Sequence, residues 1–244
     1  MQARSENTRL WEVDAVRGLA VVAMVVSNFL FDLYFFVGLP VSPQGKAGWL
    51  ARGTAGTFLV LVGVSLVLSH GRRPAAPLFR LLRRSAGLVG LGMLVSLATW
   101  FAAGDQLVIF GILHCIGVSI LVARPLVTRP WTATAIGAAL LAAGPLVGRL
   151  HPATPLLIPL GMAPADFASV DYVPLIPWSG LVLLGIGLGN LLYQRGRRRY
   201  RLPDWSDRRL LRGLVVLGRH SLIIYFVHQP VLLALLWCWL RLAA

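Results

Sequence analysis

Inside the apolar run RGLAVVAMVVSNFLFDLYFF, residues 17 to 36, stand an amide and a carboxylate, Asn28 and Asp32. On a helix advancing about 100° per residue they share one face, with Arg17 close to the same angle and Asp14 one turn before it. Polar groups at such depth are costly in hydrocarbon, so they face a bundle interior, a cavity or a partner. Other apolar stretches carry similar interruptions: His114 in FGILHCIG, Asp171, Tyr172 and Trp178 in DYVPLIPW, and Tyr225 and His228 in HSLIIYFVHQP. Histidine is the commonest general acid or base, and a carboxylate beside it orients the ring and raises its basicity. Together these residue types can move protons. The plainer reading makes each histidine a core residue bonded to a carbonyl, and Tyr172 and Trp178 interfacial belt aromatics.

The elements that must position them are membrane helices. The 244 residues are 57% hydrophobic and 13% charged, against roughly 25% charged in a soluble domain, and the mean hydropathy is +0.74. Stretches of about 20 residues suited to crossing a bilayer fall near 15–37, 50–69, 84–102, 107–124, 131–148, 174–193 and 219–241. The expected fold class is therefore all-α, a polytopic helical bundle of about seven spans in a single membrane domain over residues 1–244. A secretory signal peptide is a poor fit to the first span, whose apolar core is too long and lacks a small-residue cleavage site. Proline and glycine clusters such as GLPVSPQG and HGRRPAAP separate the spans.

Net charge is +14, yet the basic residues stand in blocks between apolar runs, which argues for topology and against nucleic acid. The loop at 70–84 holds Arg72, Arg73, Arg80, Arg83 and Arg84, that at 124–130 holds Arg124 and Arg129, and that at 194–218 holds QRGRRRYR and DRRLLR. These are alternate loops, so the positive-inside rule puts the N-terminus in the cytoplasm and the C-terminus outside. Arginines in cytosolic loops can also hold a polyphosphate, because guanidinium pairs bidentately with phosphate. The fifth loop, residues 149–173, is long, proline-rich and without an evident helix, a pattern often tied to function. Gly185 and Gly189 stand at GxxxG spacing, which packs one membrane helix closely on another. Pro230 closely follows His228, and a proline there frees a carbonyl and opens polar space.

Cys115 and Cys238 both lie in apolar segments without CxxC or CxxH spacing, so neither a disulfide framework nor a metal site is expected. No P-loop, GxGxxG with a following acid, zinc motif or GxSxG elbow occurs. Hydrolase and nucleotide-dependent chemistries lose their usual support.

The stretches WEVDAVRGLAVVAMVVSNFLFDL, FLVLVGVSLVLS, FGILHCIGVSILV, DYVPLIPWSGLVLLGIGLG and LGRHSLIIYFVHQPVLL, in this order, resemble bacterial membrane proteins of the heparan-alpha-glucosaminide N-acetyltransferase catalytic-domain family. The resemblance spans nearly the whole chain. It implies a bacterial cytoplasmic-membrane acyltransferase that takes an acetyl group from cytosolic acetyl-CoA and delivers it to a sugar amine or hydroxyl outside. Where relatives carry histidine, this chain has Asn28 and Leu39, so the resemblance leaves the base to be found elsewhere. His114 with Asp32 is the first choice and His228 the second, with Asn28 on the acyl carbonyl or acceptor. Trp178, Asp171, Tyr172 and Tyr225 are then candidate substrate contacts, and Arg17, Arg72, Arg73, Arg83 and Arg84 candidate partners of the CoA phosphates. The implied partners are the bilayer, acyl-CoA, a glycan acceptor and a second copy in a homodimer. The rival class is non-enzymatic: a small-solute transporter or a scaffold for envelope assembly. Transporters of that kind show internal repeats or paired broken helices, and no repeat is evident in this sequence.

Overall fold

The computed structural model describes residues 10–40, 45–74, 77–103, 107–205 and 208–243. Among them, α-helices supply nearly all regular structure: α1 (Trp11–Val37), α2 (Lys46–Arg72), α3 (Leu78–Ala103), α4 (Ile112–Ala123), α5 (Pro130–Val147), α6 (Leu175–Leu192), α7 (Arg209–Arg219) and α8 (Ser221–Ala243). A two-residue hairpin, β1 (Tyr193–Gln194) with β2 (Arg197–Arg198), follows α6. Six of the helices, α1, α2, α3, α5, α6 and α8, are long and apolar enough to cross a membrane. This is the polytopic helical bundle that the composition predicts.

Two differences from the sequence reading have physical causes. The expected fourth span, 107–124, is helical only from Ile112, continuing past Ala123 as a short 3-10 helix, Arg124–Leu126. Its leading residues are non-helical, with bends at Ile109 and Phe110, and are held by the Ser169 hydroxyl donating to Leu107 O (2.9 Å) and the Val173 N–H to Phe110 O (3.1 Å). That draws the segment to the 169–173 loop. Conversely, the stretch read as an arginine loop at 194–218 contains α7, whose apolar residues recur with helical period and bury Val215 and Gly218. In the long fifth loop, Pro155–Leu160 forms a 3-10 helix, capped by the Thr154 hydroxyl accepting from the Leu156 N–H.

The chain separates into two compact units, Met1–Phe58 with Leu202–Ala244, and Leu59–Arg201. In the first, α1 and α7 approach so closely that a Cβ on Gly18 would stand 1.9 Å from Leu214 O, and one on Gly218 1.9 Å from Asp14 O. Only glycine fits at that crossing. In the second unit, Leu59, Ile120, Ile158, Val182 and Ile186 form a core with almost no exposure. There α6 lies hard against α2: a Cβ on Gly185 would meet Val60 O at 2.2 Å, the close packing that the GxxxG spacing implies.

Candidate functional site

The first unit holds a polar cluster between two membrane-length helices. Asn28 and Asp32, at i and i+4 on α1, meet the consecutive residues His228 and Gln229 of α8. His228 Nδ1 stands 2.7 Å from Tyr225 O and 3.1 Å from Ile224 O. Both neighbours are acceptors, so Nδ1 carries the proton and Nε2 is left as a lone pair. The Asn28 amide donates to that lone pair at 2.7 Å. This His228 tautomer therefore fixes which way the Asn28 amide points. The Gln229 amide donates to Asp32 Oδ1 at 2.7 Å, whereas Asp32 Oδ2 has no partner although the residue is only 1% exposed. A buried acceptor with nothing to accept from is uncommon and calls for an explanation. Tyr225 leans on the His228 ring, centroids 6.0 Å apart.

At the start of α1, Asp14 is buried and bridges two guanidinium groups: Arg17 donates to Oδ1 at 2.9 Å and Arg219 of α7 to Oδ2 at 3.4 Å. Arg17 thus already has a carboxylate partner in its own helix.

The remaining candidates lie in the second unit. His114 is 4% exposed, and its Nδ1 accepts from the Gly111 N–H at 3.3 Å, so the ring caps its own helix. It lies across Gly92 and stacks on Phe110, centroids 5.5 Å apart. With Nδ1 accepting, Nε2 carries the proton, and that buried donor also has no partner. Asp171 caps the same helix start, its Oδ2 accepting from the Ile112 N–H at 3.1 Å. Tyr172 donates to Ile158 O at 2.8 Å, and burial pushes its phenol pKa up, so it remains a donor. Trp178 packs against the apolar core.

Of the cytosolic-loop arginines, Arg72, Arg73, Arg83 and Arg84 are exposed. A cleft of about 490 Å³ opens instead beside the β1–β2 hairpin, lined by Arg195, Arg199, His70, Tyr193, Asn190 and Thr128 among others. The hairpin turns through Arg195 (φ 49) and Gly196 (φ 77), both left-handed. For arginine that conformation costs on the order of 1 kcal/mol. Arg72 borders the turn: a Cβ on Gly196 would stand 2.6 Å from its Cγ. Sequence reasoning passed over Gln229, Arg195 and Arg199. The signals were present, a glutamine directly after His228 and an RG pair between two short arms.

A family model described as heparan-alpha-glucosaminide N-acetyltransferase, catalytic, matches residues 9–230. The chain belongs to this family. Comparison with curated proteins and with solved structures gave no match. The match takes in α1 whole and α8 as far as Pro230, so every member of the cluster around Asn28 lies within the family's catalytic region. With six membrane-length helices among the described residues, the chain is a multi-pass, acetyltransferase-like membrane protein.

Proposed function

We propose that the protein transfers an acetyl or other acyl group from cytosolic acyl-CoA to a sugar amine or hydroxyl outside the bacterial cytoplasmic membrane, and that the Asn28, Asp32, His228 and Gln229 cluster is where the transfer occurs. The observation that carries this reading is the unpartnered Asp32 Oδ2, a positioned lone pair inside the bundle. The acceptor N–H or O–H donates to Oδ2 while its nitrogen or oxygen attacks the thioester carbonyl. A C–N or C–O bond forms, the C–S bond breaks, and the proton passes from Asp32 to the departing thiolate. The second N–H of Asn28, aimed by His228, stabilises the carbonyl oxygen as it gains charge. His228 then positions rather than abstracts. On this reading the CoA phosphates meet arginines of the cytosolic loops, among them Arg72, Arg73, Arg83 and Arg84.

Purified protein in proteoliposomes, loaded with labelled acetyl-CoA and offered glucosamine or an amino-glycan, provides the test. Asp32→Asn should lower transfer roughly 10²- to 10⁴-fold, the usual contribution of a general base, and Asn28→Ala roughly 10²- to 10³-fold as a lost oxyanion donor. Transfer unchanged in Asp32→Asn would remove Asp32 as base. No transfer by the unaltered protein to any acceptor would leave the transporter or scaffold reading.

A further inference from the structure

The hairpin cleft has properties that membrane topology does not require. An arginine that sets topology needs only to stand in a cytosolic loop. Arg195 is instead held in the left-handed region at the first turn position of a two-residue hairpin, a place that asparagine, aspartate or glycine takes more readily. Strain kept at one residue is a pointer to function. Arg195 and Arg199 line the cleft with His70, and no carboxylate is among its described lining residues. A second hollow, lined by Gln194, Arg195, Arg197, Arg198 and Arg199, adjoins through shared residues. The turn is built against a firm wall, since a Cβ on Gly71 at the end of α2 would meet Gly196 N at 2.5 Å.

We propose that this cleft binds a phosphate-bearing ligand through the guanidinium groups of Arg195 and Arg199. Guanidinium is the side chain best matched to phosphate oxygens. The phosphate can belong to a soluble polyphosphate or to the headgroup of an anionic lipid, and the two are separable by experiment. Neither source depends on acyl transfer taking place.

Inorganic pyrophosphate serves as the probe, titrated by calorimetry into the full chain held in phosphatidylcholine nanodiscs. Arg195→Gly and Arg199→Gln should each weaken binding roughly tenfold or more, the usual worth of a charge-assisted pair. Arg195→Gly should at the same time keep or raise the thermal midpoint, because glycine adopts the left-handed turn without strain. A purely structural arginine would not separate the two readouts in that way. Displacement of pyrophosphate when phosphatidylglycerol is added to the nanodiscs assigns the site to a lipid headgroup, and binding that persists assigns it to a soluble ligand. Equal affinity in the unaltered protein and both variants, or no pyrophosphate binding together with no phosphatidylglycerol-dependent stabilisation that the variants lose, overturns the proposal.

Discussion

At the scale of single residues, the cluster on α1 and α8 is ordered by donors and acceptors more than by charge. His228 can accept from Asn28 only because two backbone carbonyls claim its other nitrogen, and Asp32 presents one oxygen because Gln229 holds the other. Gln229 is thus the residue on which the orientation of Asp32 depends. Gln229→Ala should lower kcat for acetyl transfer roughly 10- to 100-fold with little change in KM. That corresponds to losing a hydrogen bond to an ionised group, about 1.5–3 kcal/mol. Steady-state kinetics in proteoliposomes read it, and an unchanged kcat would show that Asp32 is held by something else.

At the scale of elements, the crossing of α1 and α7 fixes the Asp14 ion pairs. Gly218→Ala must push α7 away from Asp14 O, stretching the Arg219 contact as well, whereas Gly213→Ala on the same helix has open space around it. Thermal unfolding in detergent should therefore fall for Gly218→Ala. It should rise slightly for Gly213→Ala, by up to about 1 kcal/mol of helix propensity. Equal effects would mean the crossing is loose. The six long helices were legible because sustained hydropathy is a strong signal, and α7 was not, because the arginines at 208, 209, 212 and 219 mask an apolar stripe made of Leu210, Leu211, Leu214, Val215 and Leu217. Asn28 and Asp32 were legible as a polar face, since that follows from spacing within one helix. Their partners were not: His228 and Gln229 lie about two hundred residues away, and nothing local in the sequence encodes which distant side chain arrives opposite. The capping role of His114 was hidden in the same way, by the non-helical stretch before Gly111 that is held by residues 169–173.

At the scale of the whole molecule, α4 alone is too short to span, yet the charge pattern needs a crossing there. Without it, the arginine loops after α2 and after α6 would fall on opposite sides. Residues 107–111 before α4 are non-helical, with bends at Ile109 and Phe110. The 12 residues of α4 span about 18 Å at 1.5 Å each. Of a hydrocarbon core of roughly 30 Å, about 12 Å is left to residues 107–111 and to the 3-10 turn Arg124–Leu126. Non-helical backbone is tolerated in a membrane where protein satisfies it, and the contacts from Ser169 and Val173 do so in part. In a Cys238→Ser background, Gly45→Cys and Ala153→Cys should label with a membrane-impermeant thiol reagent applied outside intact cells, and Arg201→Cys should not. Labelling at 201 with protection at 45 would invert the orientation, and labelling at both 45 and 201 would remove the α4 crossing.

The pairing of Asn28 with His228 and of Asp32 with Gln229 also sets a timetable for biogenesis. Their partners lie about two hundred residues downstream, and at roughly 5–20 residues per second the ribosome reaches them some 10–40 s after α1 has emerged. Through that interval α1 carries an amide and a carboxylate with neither of these partners, and Asp14 likewise waits for Arg219. The insertion machinery must shelter α1 until α8 is made, so the cluster that shapes the site also makes synthesis of α8 the condition for releasing α1 into lipid.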